Sequence, residues 1–219
     1  ETACYLLCNR FSSILESGGG TMDELEKCMS GKYYNCHDPI FLDFKARAGK
    51  LLQVYNGLAY GQKHEKRDVL EQLFGKIGAD VSVGTPFVCD YGRNIYLGNS
   101  VSVNMHCTFI DCNRIVIGDN VLIAPNVQLY TATHPVSLEE RLTPDWNPKS
   151  GQYFCRTYAL PIHIGNGCWL GGGVIVLPGV TIGDGSVIGA GSVVTKDIPG
   201  NVLAVGNPCR VIRKLNQEG

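Results

Sequence analysis

Long apolar runs are missing from this chain. No stretch approaches the ~20 residues that a membrane-spanning helix requires. Ala3–Cys8 is apolar but too short, and lacks the basic flank, for the core of a secretory signal. An excess of charge is missing as well. With 19 Lys and Arg against 20 Asp and Glu the net charge is −1, which removes the clustered basic surface typical of nucleic-acid binding. No Cys-x-x-Cys pair occurs, so a zinc ribbon has no ligands at its usual spacing. Ten cysteines are present nonetheless. Cys107 and Cys168 fall at small-residue positions of the repeat described next, where a thiol packs as a compact apolar group. The cysteines are therefore read as reduced thiols and the compartment as cytoplasmic.

What the chain has in quantity is glycine, 27 residues of it, and much of it is periodic. From residue 164 an aliphatic side chain recurs at every sixth position: Ile164, Leu170, Val176, Ile182, Ile188, Val194. Small residues follow at Gly165, Gly171, Gly183 and Gly189, and small or β-branched residues sit four places on at Cys168, Val174, Val180, Ser186 and Ser192. A flat strand repeats every two residues and a helix every 3.6. A strict period of six instead marks the hexapeptide repeat of a parallel β-helix, a mainly β fold. Three hexads close one coil, so Ile164 is expected to stack under Ile182 and Leu170 under Ile188. The Gly-Asn-Gly and Gly-Asp-Gly corners supply residues that accept positive φ.

Around this centre the chain divides in order. Residues 1–21 hold a possible peripheral helix on Cys4, Leu7, Phe11 and Leu15, and then the Ser17–Thr21 linker. Residues 22–76 read as a helical cap over the open end of the solenoid. Thr21 or Asp23 is the first cap, Asp38-Pro39 the second, one stripe runs to Tyr60, and a last helix spans Asp68 to Phe74. Residues 77–215 form the β-helix, with Leu97, Val103, Phe109, Ile117, Ile123 and Leu129 in its first coils and a two-residue insertion between Phe109 and Ile117. Residues 131–163 break the repeat with a long excursion that opens on His134-Pro135, and such loops usually carry function. After Val194 the chain is expected to leave the solenoid, bringing Lys196, Arg210, Arg213 and Lys214 beyond the last coil as an anchor for phosphate.

Imidazole is the side chain best matched to proton transfer near neutral pH. His37, His64, His106 and His163 read as structural or surface residues, whereas His134 stands at the mouth of the excursion. A flat-sided prism has no cleft of its own, so a site would form between copies.

Several motifs together resemble one family: Cys89-Asp-Tyr-Gly-Arg-Asn-Ile, Asn104, Ile117-Gly-Asp-Asn-Val-Leu-Ile-Ala-Pro-Asn, Tyr130-Thr-Ala-Thr-His-Pro, Gly167-Cys-Trp-Leu-Gly-Gly, Val194-Thr-Lys-Asp-Ile-Pro and Gly206-Asn-Pro-Cys-Arg. They look like the maltose and galactoside O-acetyltransferases, from about Met29 to Leu215. The resemblance implies left-handed coils, a homotrimer, acetyl-CoA as co-substrate without a metal, and direct transfer of acetyl to a sugar hydroxyl. His134 would be the general base and Asn104 would orient the acceptor. Trp169, Gly172, Ala190, Thr195, Lys196, Arg210 and Arg213 would bind acetyl-CoA, and Asp90, Asn104 and Cys112 the acceptor. Where galactoside enzymes carry an acidic residue after the Asp111 position this chain has Cys112, Cys36 stands at another carboxylate position, and Lys45 stands near a usual arginine. With Asp90 matching the maltose type, glucose or maltose becomes the better acceptor. The alternatives are an amine, serine or antibiotic acceptor, a non-catalytic scaffold, and a γ-type carbonic anhydrase holding zinc on His106, His134 and His163.

Overall fold

A computed structural model describes residues 22–215; the expected peripheral helix and linker lie outside them. Three short helices come first. Asp23 caps α1 (Glu24–Met29) in a reciprocal box with Glu26. Asp38 accepts from Ile40 N ahead of α2 (Pro39–Gly57), whose proline occupies the first turn where its missing N–H costs nothing. α2 ends at Gly57, short of Tyr60, and α3 (Lys63–Leu73) begins five residues before the expected Asp68. Between α1 and α2 the chain is not helical: Tyr34 runs extended and bridges Thr157.

The solenoid follows in coils of three strands. The first coil has β1 (Lys76–Ile77), β2 (Ser82–Val83) and β3 (Val88–Cys89). The second has β4 (Ile95–Leu97), β5 (Ser102–Val103) and β6 (Thr108–Ile110), and the third β7 (Ile115–Ile117), β8 (Leu122–Ile123) and β9 (Gln128–Tyr130). The excursion then adds β10 (Ala132–Thr133), α4 (Leu138–Arg141) and β11 (Tyr158–Ala159). Coils resume with β12 (Ile162–Ile164), β13 (Trp169–Leu170) and β14 (Ile175–Val176), then β15 (Thr181–Ile182), β16 (Val187–Ile188) and β17 (Val193–Val194). The chain does not leave the solenoid there. Ile198 bridges Ile182, and β18 (Val202–Val205) stacks parallel on β16 before β19 (Arg210–Lys214) turns back antiparallel. The hexad rhythm is lost after Val194, but the backbone ladder continues for most of a sixth coil.

Equivalent strands form three parallel faces, and the expected stacks are present: Ile164 lies over Ile182 and Leu170 over Ile188. In-pointing residues of the strands build the core, two each from β4, β7 and β12 of the first face, and Phe109, Leu129 and Val176 in the third face, all fully buried. Corners are held by a ladder in which Asp119 accepts from Asn99 N, Asn166 from Asp119 N and Asp184 from Asn166 N, at 2.6–2.8 Å. The glycines of one corner do different jobs. A Cβ on Gly165 would sit 2.2 Å from Asp184 Oδ1, whereas Gly167 is needed for its φ of +65°. Ala48, Tyr55, Leu70 and Leu73 of the second and third helices pack into the same core as Val83 and Phe87.

A second, smaller core joins the first helix, the excursion and one corner. It holds Cys28, Tyr34, Phe41, Tyr91, Cys112 and Ala159. Asn113 pins it, donating from Nδ2 to the carbonyls of Cys28 (3.1 Å) and Ala159 (2.9 Å). The two-residue insertion falls at this corner, and it supplies the side chain that ties three segments together.

Candidate functional site

The third face, entered at a leading edge and left at a trailing edge, organises the residues singled out in the sequence. At the leading edge Asn104 follows β5, Gly172 follows β13 and Ala190 follows β16; Gly172 and Ala190 share one row of the corner, with Asn104 one register position before it. Arg210 starts β19 beside that row, opposite Val205. Asp90, Cys112, Thr195 and Lys196 follow third-face strands and so belong to the trailing edge, and His134 lies beyond that edge, after β10. One side of the coil separates the edges: from Asn104 the chain passes the turn at 105–106 and the whole of β6 before it reaches Asp111. A single chain therefore does not bring Asn104 to His134, nor Lys196 to Ala190.

His134 is held from behind. Its Nδ1 lies 2.8 Å from the Arg156 carbonyl oxygen, 3.4 Å from Thr157 Oγ1 and 3.7 Å from Cys155 Sγ. A carbonyl only accepts, so Nδ1 carries the proton and Nε2 keeps its lone pair. This is the tautomer a base needs, and it exists because Thr133 pairs with Tyr158 in a hairpin that lays 155–157 along the imidazole. The exposed imidazole faces solvent in the isolated chain.

On its side of the face lie two of the three residues expected for the acceptor, Asp90 and Cys112. Asp90 is half-buried; Cys112 Sγ donates to its Oδ2 at 3.3 Å and Lys45 Nζ stands 3.8 Å away. Cys112 itself is buried, so it braces Asp90 from beneath. Below both, Asp111 is fully buried and accepts the N–H groups of Asp90, Tyr91 and Asn94 at 2.8–3.2 Å. Burial drives its carboxyl up to about 7, against those hydrogen bonds. Cys36 reaches the same neighbourhood, with Thr157 Oγ1 at 3.8 Å from its sulfur; burial raises this thiol, while Thr157 and Lys45 pull it back. A cavity of about 200 Å³ between the cap segment and the excursion shares Cys155 and Arg156 with the Nδ1 side of His134.

On the leading edge the residues present fit a long phosphorylated thioester. The row is built of small residues, and a Cβ on Gly172 would meet nothing nearer than 3.5 Å. Trp169 points outward from the second face above Leu122, half-exposed, and forms a wall beside the row. Arg210, Arg213 and Lys196 are exposed, and none takes part in an ion pair among the described residues. No group of three His, Cys, Asp or Glu among the described residues is placed to hold a metal ion. His106 lies at the leading edge, His134 beyond the trailing edge and His163 on the first face. Arg156, Thr157 and Cys155 have no place among the expected site residues, because the hairpin that delivers them has no repeat to reveal it, whereas Lys45 is reached through the resemblance.

Two family models match the chain: a bacterial transferase hexapeptide model over residues 161–196 and a maltose acetyltransferase hexapeptide capping motif over residues 27–78. A crystal structure of a maltose O-acetyltransferase from Clostridium difficile 630 is 45% identical, covers 90% of this chain and 100% of its own, and superposes with a TM-score of 0.82. A galactoside acetyltransferase in complex with coenzyme A is 39% identical over 90% of this chain and 92% of its own, with a TM-score of 0.81. A hexapeptide-repeat acetyltransferase from Vibrio cholerae, complexed with acetyl coenzyme A, is 34% identical over 90% and 100%, with a TM-score of 0.78.

Proposed function

The chain belongs to the maltose and galactoside O-acetyltransferase family of hexapeptide-repeat proteins, and from that membership we propose that it moves acetyl from acetyl-CoA to a hydroxyl of a glucose- or maltose-like sugar. The observation that carries the chemistry is the hydrogen bond from His134 Nδ1 to the Arg156 carbonyl, which leaves Nε2 free to take a proton. The acceptor O–H gives that proton to Nε2 as its oxygen attacks the thioester carbonyl carbon. The resulting tetrahedral oxyanion collapses, the C–S bond breaks, and the imidazolium returns its proton to the departing thiolate. Acetyl-CoA and alcohol become ester and CoA, with no acyl-enzyme.

Asn104, Asp90 and Cys112 serve the acceptor, Asn104 and Asp90 by orienting hydroxyls and Cys112 by bracing Asp90. The small-residue row of Gly172 and Ala190, with Trp169 as wall, takes the pantetheine arm. Thr195, Lys196, Arg210 and Arg213 take the phosphates. Because each set is divided between the two edges of one face, the working unit is a homotrimer in which the trailing edge of one copy meets the leading edge of the next. The helical cap (22–76), the solenoid (77–215) and the excursion (131–163) divide the labour between stability, donor and acceptor.

The test is CoA release, followed by a thiol reagent, with acetyl-CoA and a panel of sugars, amines, serine and antibiotics. Release is expected with glucose or maltose and a fall of about two to four orders of magnitude in His134→Ala, the usual worth of a general base. Release only with an amine or antibiotic would overturn the sugar reading, and failure to bind acetyl-CoA would overturn the enzyme.

A further inference from the structure

Two cysteines share one side of the extended strip behind His134. Tyr34 N donates to Thr157 O at 3.1 Å in an antiparallel bridge. The pairing stops there, because the chain turns at 35–38 with Asp38 N donating to Asn35 O, and Cys155 itself bridges Leu142. Further contacts still hold the turn against the strip, since Tyr153 N donates to Asn35 Oδ1 and the rings of His37 and Tyr153 are 4.6 Å apart. A disulfide joins Cα atoms roughly 4.4–6.8 Å apart, so its two sulfurs must border one small patch. The side chains point the same way. Thr157 Oγ1 touches both Cys36 Sγ (3.8 Å) and His134 Nδ1 (3.4 Å), and Cys155 Sγ lies 3.7 Å from that same nitrogen.

We propose that Cys36 and Cys155 are a redox modification site: peroxide joins them in a reversible disulfide that ties the cap segment to the excursion and halts turnover at His134. The halt rests on His134 being the base; the bond does not. Half-buried Cys36 reacts first because peroxide reaches its sulfur while Cys155 is buried; burial raises the Cys36 thiol, and Thr157 and Lys45 offset part of that. Its sulfur takes one peroxide oxygen as the O–O bond breaks, giving a sulfenic acid and water. Cys155 sulfur then attacks that sulfur, forming the S–S bond, and the displaced hydroxide leaves as a second water with the Cys155 thiol proton. Two thiols are oxidised by two electrons and one peroxide is reduced. Cys155 is then drawn away from Nδ1, and the strip that fixes the imidazole shifts with it.

The full chain treated with hydrogen peroxide, alkylated and digested with trypsin decides this. Cleavage after Lys32, Lys45, Lys149 and Arg156 gives Tyr33–Lys45 and Ser150–Arg156, each with a single cysteine. The expected result is these two peptides linked and separable by dithiothreitol, with CoA release lowered at least about tenfold, as small displacements of a catalytic group do, and restored by dithiothreitol. Cys36→Ser and Cys155→Ser should each abolish the linked pair and hold their own untreated rates under peroxide. Absence of the linked pair while other thiols oxidise would overturn the site, and a linked protein working at full rate would overturn the control of turnover. If no acceptor yields CoA release at all, the acetyl-transfer reading fails and the linked peptides alone still judge the bond.

Discussion

Asp111 is a carboxylate whose environment departs far from solution. A carboxyl raised from 3.8 to about 7 is easier to protonate folded than unfolded. Its contribution to stability is therefore fully present below pH 3.8 and is lost as pH rises through about 7. Across that window it removes up to roughly 4 kcal/mol, at about 1.4 kcal/mol per pH unit. Asp111→Asn cannot ionise, but it aims an amide N–H at backbone donors that the carboxylate accepted from Asp90, Tyr91 and Asn94. Denaturant melts at pH 5, 6, 7 and 8 should find the variant less stable at every pH. The gap to the parent should narrow toward pH 7 and then level off; a gap constant with pH would remove the titration from Asp111.

At the scale of elements, the corner at 111–114 does more than close a coil. Asn113→Ala would leave the buried Ala159 carbonyl without its donor and that of Cys28 with Gly31 N alone, at a cost of about 1–3 kcal/mol. Leu170→Ala, in the middle of a fully buried stack, should cost about 2–5 kcal/mol. The two differ in what they loosen. Hydrogen exchange should speed up at Met29–Tyr34 and Tyr158–Ala159 in the first variant and along the coils in the second; the same pattern in both would deny Asn113 its pinning role. This contrast also explains what the sequence made legible. Ile164 to Val194 announced themselves because each aliphatic meets its equivalent one coil away, and a spatial repeat leaves a written one. The sixth coil at Ile198 and Val202, the Thr133–Tyr158 hairpin and the Tyr34–Thr157 bridge are single long-range pairings. Nothing in their own residues names the partner. His134 could be found from its place at the mouth of the excursion, whereas the Arg156 carbonyl that sets its tautomer could not, since any residue has a carbonyl.

At the scale of the whole molecule, the division of the site residues between two edges predicts complementation. His134→Ala and Asn104→Ala should each be nearly inactive alone. Co-expressed and mixed at random in trimers, they should recover about a quarter of the parent rate, because one junction in four then draws both intact residues from neighbouring copies. No recovery would mean that each chain works by itself. The solenoid also treats its own interruption as if it were absent: Leu122 pairs straight across to Trp169 and Ile123 to Leu170, with the excursion between them in sequence. Thirty residues can thus lengthen, shorten or change their chemistry while the coils on either side keep their frame. For such a molecule, novelty in what is acetylated is an inexpensive edit, because the passage nearest the base is the one the scaffold does not read.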